Sequence, residues 1–124
     1  MQKLYFEPAW DKTIAPRDRE KIINHFHERI KHFKDGIHFS FLWEAENHKG
    51  QKLVTVLIHN GEEIEFRLQD TVIAYYKWDL HVATGIFDLP CEIAGTTTMP
   101  WTFIFSQSNE TNRAPQHTIL NEEE

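Results

Sequence analysis

The stretch Lys52-Leu53-Val54-Thr55-Val56-Leu57-Ile58-His59-Asn60-Gly61 decides the fold class. Val, Leu and Ile fall on successive positions, so both faces of the segment are apolar. A short run of this kind, bounded by turn residues, fits a strand in the middle of its sheet. Asn60-Gly61 is the strongest short hairpin signal in the chain, because both residues accept positive φ. Residues 62–68 then alternate, with Ile64, Phe66 and Leu68 inward and Glu63, Glu65 and Arg67 outward, as a returning strand would.

Working toward the N-terminus, Ile37, Phe39, Phe41 and Trp43 alternate with His38, Ser40, Leu42 and Glu44, which predicts a half-buried strand. Residues 47–51, with Gly50, form a polar turn. Before Gly36 the period is that of a helix. Ile22, Ile23, Phe26, Ile30 and Phe33 make one apolar stripe, opposite Arg17, Lys21, Asn24, Glu28 and Lys31. Pro16 opens this helix at no cost in hydrogen bonds, Asp18 suits its dipole, and Gly36 ends it as a left-handed cap. Its predicted span is 16–34. Residues 2–7 alternate up to Pro8 and read as a first strand at a sheet edge, with residues 9–15 as a connection.

Toward the C-terminus, residues 71–78 (Val72, Ile73, Tyr75, Tyr76), 82–89 and 101–105 read as further strands. From residue 107 the chain turns polar and acidic, and a tail over 107–124 is expected to be disordered, with Ile119-Leu120 as its one docking element. The domain proper is then 1–106. With no helix between the later strands, the expected fold is mainly β (α+β by count). It is an antiparallel β-sandwich of six to seven strands with one N-terminal amphipathic helix.

The whole chain is 124 residues, the size of one domain, and its nine Phe, four Trp and three Tyr supply the bulk for a core. No apolar run approaches the roughly 18–20 residues that cross a bilayer. The first residues reach Glu7 and Pro8 before an apolar leader core can form, so a cytoplasmic place is expected, directly or held at the membrane through a partner. A net charge of −6 gives no positive field for phosphate backbones, which excludes nucleic acid as a partner. The single Cys91 excludes an internal disulfide and a multi-cysteine zinc site.

The chemistry-bearing residues do not converge. His25 and His27 lie two apart on the helix and face different ways, and Glu28 with His32 offers only two ligands. His38, His48, His59 and His81 have no ligand spacing, so the plainer reading is surface or boundary histidines. Cys91 has no local base, and a small buried residue is its simpler role. No nucleophile elbow, phosphate loop or dinucleotide motif occurs. Neither catalytic residue, metal nor cofactor is implied, and the reading is that of a non-enzyme. Aromatics say more. Tyr75, Tyr76 and Trp78 put rings on both faces of one strand, and Trp10 and Trp101 border loops. Core packing accounts for most of them. Trp10, Tyr75, Trp78, Trp101 and Phe103 are the candidates for a partner surface.

Three segments together carry a resemblance: Leu4-Tyr5-Phe6-Glu7-Pro8-Ala9-Trp10-Asp11 with Ile14-Ala15-Pro16, the strand 53–61, and Ala83-Thr84-Gly85-Ile86-Phe87-Asp88-Leu89 with Thr98-Met99-Pro100-Trp101-Thr102-Phe103-Ile104-Phe105. In order and spacing the chain resembles the SLAP domain of the S-layer assembly proteins of Bacillus and related Firmicutes. Those proteins usually carry the domain twice, and this chain holds it once. The resemblance implies a protein-binding module of the accessory Sec route, with secretion machinery or a surface-layer precursor as partner. Capture of extended clients by strand addition would use the first strand (Leu4, Phe6) or the last (Trp101, Phe103, Phe105), edges that would also allow a homodimer. The other reading is a cytosolic small-ligand protein with a cavity between helix and sheet, lined by Phe26, Phe33, Phe41 and Tyr75.

Overall fold

The two apolar faces of residues 52–60 serve two different layers. In the computed structural model, which describes residues 1–32 and 35–122, the elements run β1 (Lys3–Leu4), α1 (Pro8–Thr13), α2 (Pro16–Ile30), β2 (Ile37–Glu46) and β3 (Lys52–Asn60). They continue with β4 (Thr71–Lys77), β5 (Leu80–Phe87), β6 (Thr97–Phe105), a 3-10 turn (Gln107–Asn109) and β7 (His117–Asn121). The first sheet has the order β1-β6-β3-β2 and the second β5-β4-β7, so β3 is interior as its sequence predicts. Val54, Val56 and Ile58 face a core shared with Tyr75, Ile73, Phe103 and Ile119 of the second sheet and β6. Leu57, on the opposite face, joins Ile22 and Phe26 of α2 and Leu42 of β2. The molecule is therefore a small α+β domain in three layers: helices, first sheet, second sheet.

The helix layer differs from expectation at both ends. Residues 8–13, expected to be a connection, form α1, because the Glu7 carboxylate accepts a bond from the Trp10 N–H (2.9 Å) and Pro8 starts the turn. The second helix ends at Ile30 rather than 34, and Phe33 of the predicted stripe lies outside the described residues. The first strand shrinks to Lys3–Leu4 and does sit at an edge.

Two pairings run parallel, β1 with β6 and β4 with β7, so both sheets are mixed rather than antiparallel throughout. The predicted hairpin at Asn60-Gly61 does not form. Instead β3 pairs with β2 on one side and β6 on the other, and residues 61–70 make a loop that meets strand geometry only at the Phe66–Ile93 bridge. Asn60 explains the difference. Its buried amide donates to the carbonyls of Ile64 (2.9 Å), Ile93 (3.1 Å) and Ala94 (3.1 Å), and its Oδ1 accepts from the Glu62 N–H. A residue that binds four backbone groups is a loop anchor and not a solvent-facing turn. Gly95 lies under the same loop: a Cβ there would stand 2.1 Å from the Glu63 carbonyl oxygen.

The polar C-terminal segment is the largest correction. Far from being disordered throughout, it supplies β7, paired in parallel with β4 from Ile73–His117 to Lys77–Asn121. Ile119 is fully buried in the main core, and Gln116 fixes the approach by bonding Val72 through both its N–H and its side chain. One buried isoleucine and a row of main-chain bonds order a segment whose composition is otherwise that of a loop.

Two substitutions test this packing by chemical denaturation. Ile119→Ala is expected to cost about 2–4 kcal/mol, as for other fully buried isoleucines. A cost under about 0.5 kcal/mol would mean that β7 is not part of the core. Gly95→Ala is expected to cost about 2–4 kcal/mol, because the backbone of Glu63 must move to admit the methyl group.

Candidate functional site

A β-bulge between Phe41 and Trp43 arranges the surface that concerns function. Up to Phe41 the odd-numbered residues of β2 face the second sheet. The extra residue reverses the parity, so Leu42 and Trp43 both turn toward the helices and Glu44 turns inward. The sequence reading had placed Trp43 on the same face as Phe39 and Phe41.

Trp43 thereby becomes one wall of a cleft of about 290 Å³ at the seam between helices and first sheet. Trp10 and Ile14 of the α1 region form the other wall, and Thr55 and Thr102 lie at its base with their hydroxyls 2.7 Å apart. Asp18, in the first turn of α2, also lines it. Two cations lie close to the walls. Arg19 pairs with Asp11 and lies over the Phe6 ring at 4.6 Å, while Phe6 packs on Trp10. Lys21 lies over the Trp43 ring at 5.1 Å. A second cleft of about 410 Å³ opens among Gly50, Lys52, His81, Thr84, Ser106 and Glu110, with a mainly polar lining.

Glu44, turned inward, meets the hydroxyl of the fully buried Tyr75. The Tyr75 hydroxyl donates to the Glu44 carboxylate and accepts from the Asn121 amide (3.0 Å), and Lys52 reaches the same carboxylate at 3.3 Å. Burial, with the Glu44 bond, pushes the Tyr75 hydroxyl far above its usual range. Burial also works to raise Glu44, but the bonds from Tyr75 and Lys52 outweigh it and hold the carboxyl below its usual value. This is a structural tie between the sheets. His59 makes a similar one on the helix side, between the Ser40 hydroxyl (2.7 Å) and the Thr98 hydroxyl (2.9 Å). Burial first, then the nearby charges of His25, His38 and Arg29, lower its pKa to about 4.

The expected partner residues separate. Tyr75 is fully buried and Phe103 is 1% exposed, so neither has surface to offer. Trp101 is half-buried and packs against the main core. Trp10 is half-buried in the cleft wall. Trp78 is 50% exposed in the β4–β5 turn, held at φ 55°, a costly region for a bulky side chain. The last strand, expected at an edge, pairs with β3 along its length and with β1 only at Thr97 and Thr98, so residues 101–105 do lie at an edge. Phe41 and Tyr75 are on one side of the first sheet and Phe26 on the other, so they do not line one cavity. Trp43, Thr55, Thr102 and Asp18 were not singled out by the sequence. The only signal was a threonine set at mid-strand in each of two otherwise apolar runs.

Among the described residues, no group of three or more His, Cys, Asp or Glu is gathered as a metal centre would require, and no helix is long and apolar enough to cross a membrane. Cys91 lies 3.9 Å from the Met99 sulfur, and burial, with the Glu7 carboxylate, pushes its thiol up, away from the thiolate form a nucleophile needs.

These features define a small layered α+β domain whose accessible features are clefts and strand edges. A family model described as the SLAP domain, under a name that refers to the accessory Sec system, matches residues 4–119, and the chain belongs to that family. No curated protein and no solved structure matches the chain.

Buried His59 gives a pH test with a definite sign. It titrates at about 4 in the fold against 6.5 when free, so the unfolded chain takes up the proton first as pH falls. Its contribution is complete above about pH 6.5 and is lost progressively down to about pH 4, by about 3 kcal/mol. In unfolding experiments, His59→Asn should be less steeply destabilised than the parent between pH 6.5 and 4.5. Parallel slopes would place the proton elsewhere.

Proposed function

We propose that this chain is a non-enzymatic protein-interaction module that assists the export or assembly of surface-layer proteins through an accessory Sec route. It works on the cytoplasmic side, alone or held at the membrane by its partner. The observation that carries the reading is the family match, which spans nearly the whole chain, β7 included. The chemistry supports it. The titratable groups Tyr75, His59 and Glu44 are engaged in structural bonds, and the thiol of Cys91 is pushed away from reactivity.

The test is affinity capture from native lysate of the source cells, read by mass spectrometry against a tag-only control. Enrichment of the accessory secretion ATPase or of surface-layer precursors by tenfold or more is the expected result. If the folded chain enriches neither, the pathway assignment fails and the family relationship is one of fold.

A further inference from the structure

The register of the first sheet leaves one short piece of strand edge open beside the tryptophan cleft. Lys3 N–H bonds the Thr96 carbonyl and Tyr5 N–H bonds the Thr98 carbonyl, so the backbone of Thr98 faces β1. No register shift interrupts the pairing of β6 with β3, so Pro100, Thr102 and Ile104 face the same way as Thr98. The chain leaves the sheet after Leu4, and nothing continues the β1 ladder. The opening is bracketed. Pro100 is buried and lacks an N–H, and the Ile104 carbonyl is taken by the Asn109 amide at 2.9 Å. Between them, the N–H and C=O of Thr102 and the N–H of Ile104 have no hydrogen-bond partner among the described residues.

Two other edges are interrupted. That of β2 carries the bulge and has the ring of Phe39 stacked at 5.2 Å on His117 of β7. That of β5 is bridged at Gly85 by Glu110. On the helix side of the open edge, the threonine that presents the free backbone also forms the cleft base. Ala45, Leu53 and Ile104 align there across β2, β3 and β6, and Ile104 is 44% exposed. The Asp18 carboxylate in the cleft has no ion-pair or hydrogen-bond partner among the described residues.

We propose that the edge of β6 at Thr102–Ile104 accepts a short extended segment of a client polypeptide as an added strand, with a basic side chain of that segment entering the Trp10–Trp43 cleft toward Asp18. The unpaired main-chain groups call for a strand of any sequence, and the cleft adds the selection: an aromatic wall and one free carboxylate favour a cation. The bracket by Pro100 and Asn109 limits the added strand to a few residues, so binding is weak and reversible. This rests on the interaction-module reading and names its site.

The test uses the full chain and a synthetic heptapeptide alternating valine and threonine with a central lysine. Three companions carry a central glutamate, N-methyl groups on one set of alternate amides, or N-methyl groups on the other set. Tryptophan fluorescence and amide exchange report binding. The lysine peptide is expected to bind at least tenfold more tightly than the glutamate peptide and to protect the amides of Thr102 and Ile104. One of the two N-methyl patterns should abolish binding. Thr102→Pro, which removes the edge donor at a position that does not bond β3, should weaken binding tenfold or more. Thr102→Val, which loses the hydroxyl but keeps the N–H, should bind at least tenfold more tightly than Thr102→Pro. Equal binding by these two folded variants overturns the proposal. So does a free-protein dimer that Thr102→Pro dissolves, which would assign the edge to a second copy. Peptide binding without enrichment of secretion proteins would retain this site and remove the pathway. Capture of those proteins undiminished by Thr102→Pro would do the reverse.

Discussion

Val54, Val56 and Ile58 on one face of β3 and Leu57 on the other oblige the fold to supply two covers for one strand. Neither the second sheet nor the helices alone can remove both faces from water. The three-layer arrangement is the consequence, and the remaining elements are placed by it. β6 and β2 flank β3 in its plane, α2 lays Ile22 and Phe26 over Leu57, and the second sheet brings Tyr75 and Ile119 against the valines. At about 25 cal/mol per Å² of apolar surface removed from water, burying both faces of β3 is a strong stabilising contribution. The polar tie at Glu44, Tyr75 and Asn121 then fixes the sliding position of one sheet on the other, which apolar packing alone specifies poorly.

What was legible in the sequence was what periodicity and composition encode. The interior place of β3, the helix with its Ile22–Phe26 stripe and the mainly-β α+β class all follow from spacing, and the fold bears them out. The misses share a cause: each depends on a contact distant in sequence. Asn60 has the local chemistry of a turn, but its amide is claimed by carbonyls some thirty positions away, at Ile93 and Ala94. The bulge that turns Trp43 outward and Glu44 inward leaves no mark in an alternating pattern. β7 has the composition of a loop and becomes a strand because Ile119 finds a seat that β4 and the first sheet create. Of the candidate surface, Trp10 and Trp78 were visible as residues, whereas the cleft itself joins four separate segments and has no local signature.

The edge of β6 shows how the length of a strand pairing can be limited. Bulge and stacked ring fall on β2 and the bridge on β5, while the gap on β6 is shortened at one end by a proline and at the other by an asparagine side chain. Such bracketing limits how far an open edge can template further pairing along its length.

The parallel pairing of Lys3 and Leu4 with Thr97 and Thr98 also governs how the molecule comes into being. The first strand cannot find its place until almost all of the chain has been made, and β4 waits in the same way for β7. Local pairing is confined to two hairpins, β2 with β3 across residues 47–51 and β4 with β5 across residues 78–79. A topology of this kind places the fold among the slow ones, formed over milliseconds to seconds rather than microseconds. During that interval the apolar faces of β3 are bare, and the newborn chain is itself the kind of extended, sticky polypeptide that cellular chaperones attend.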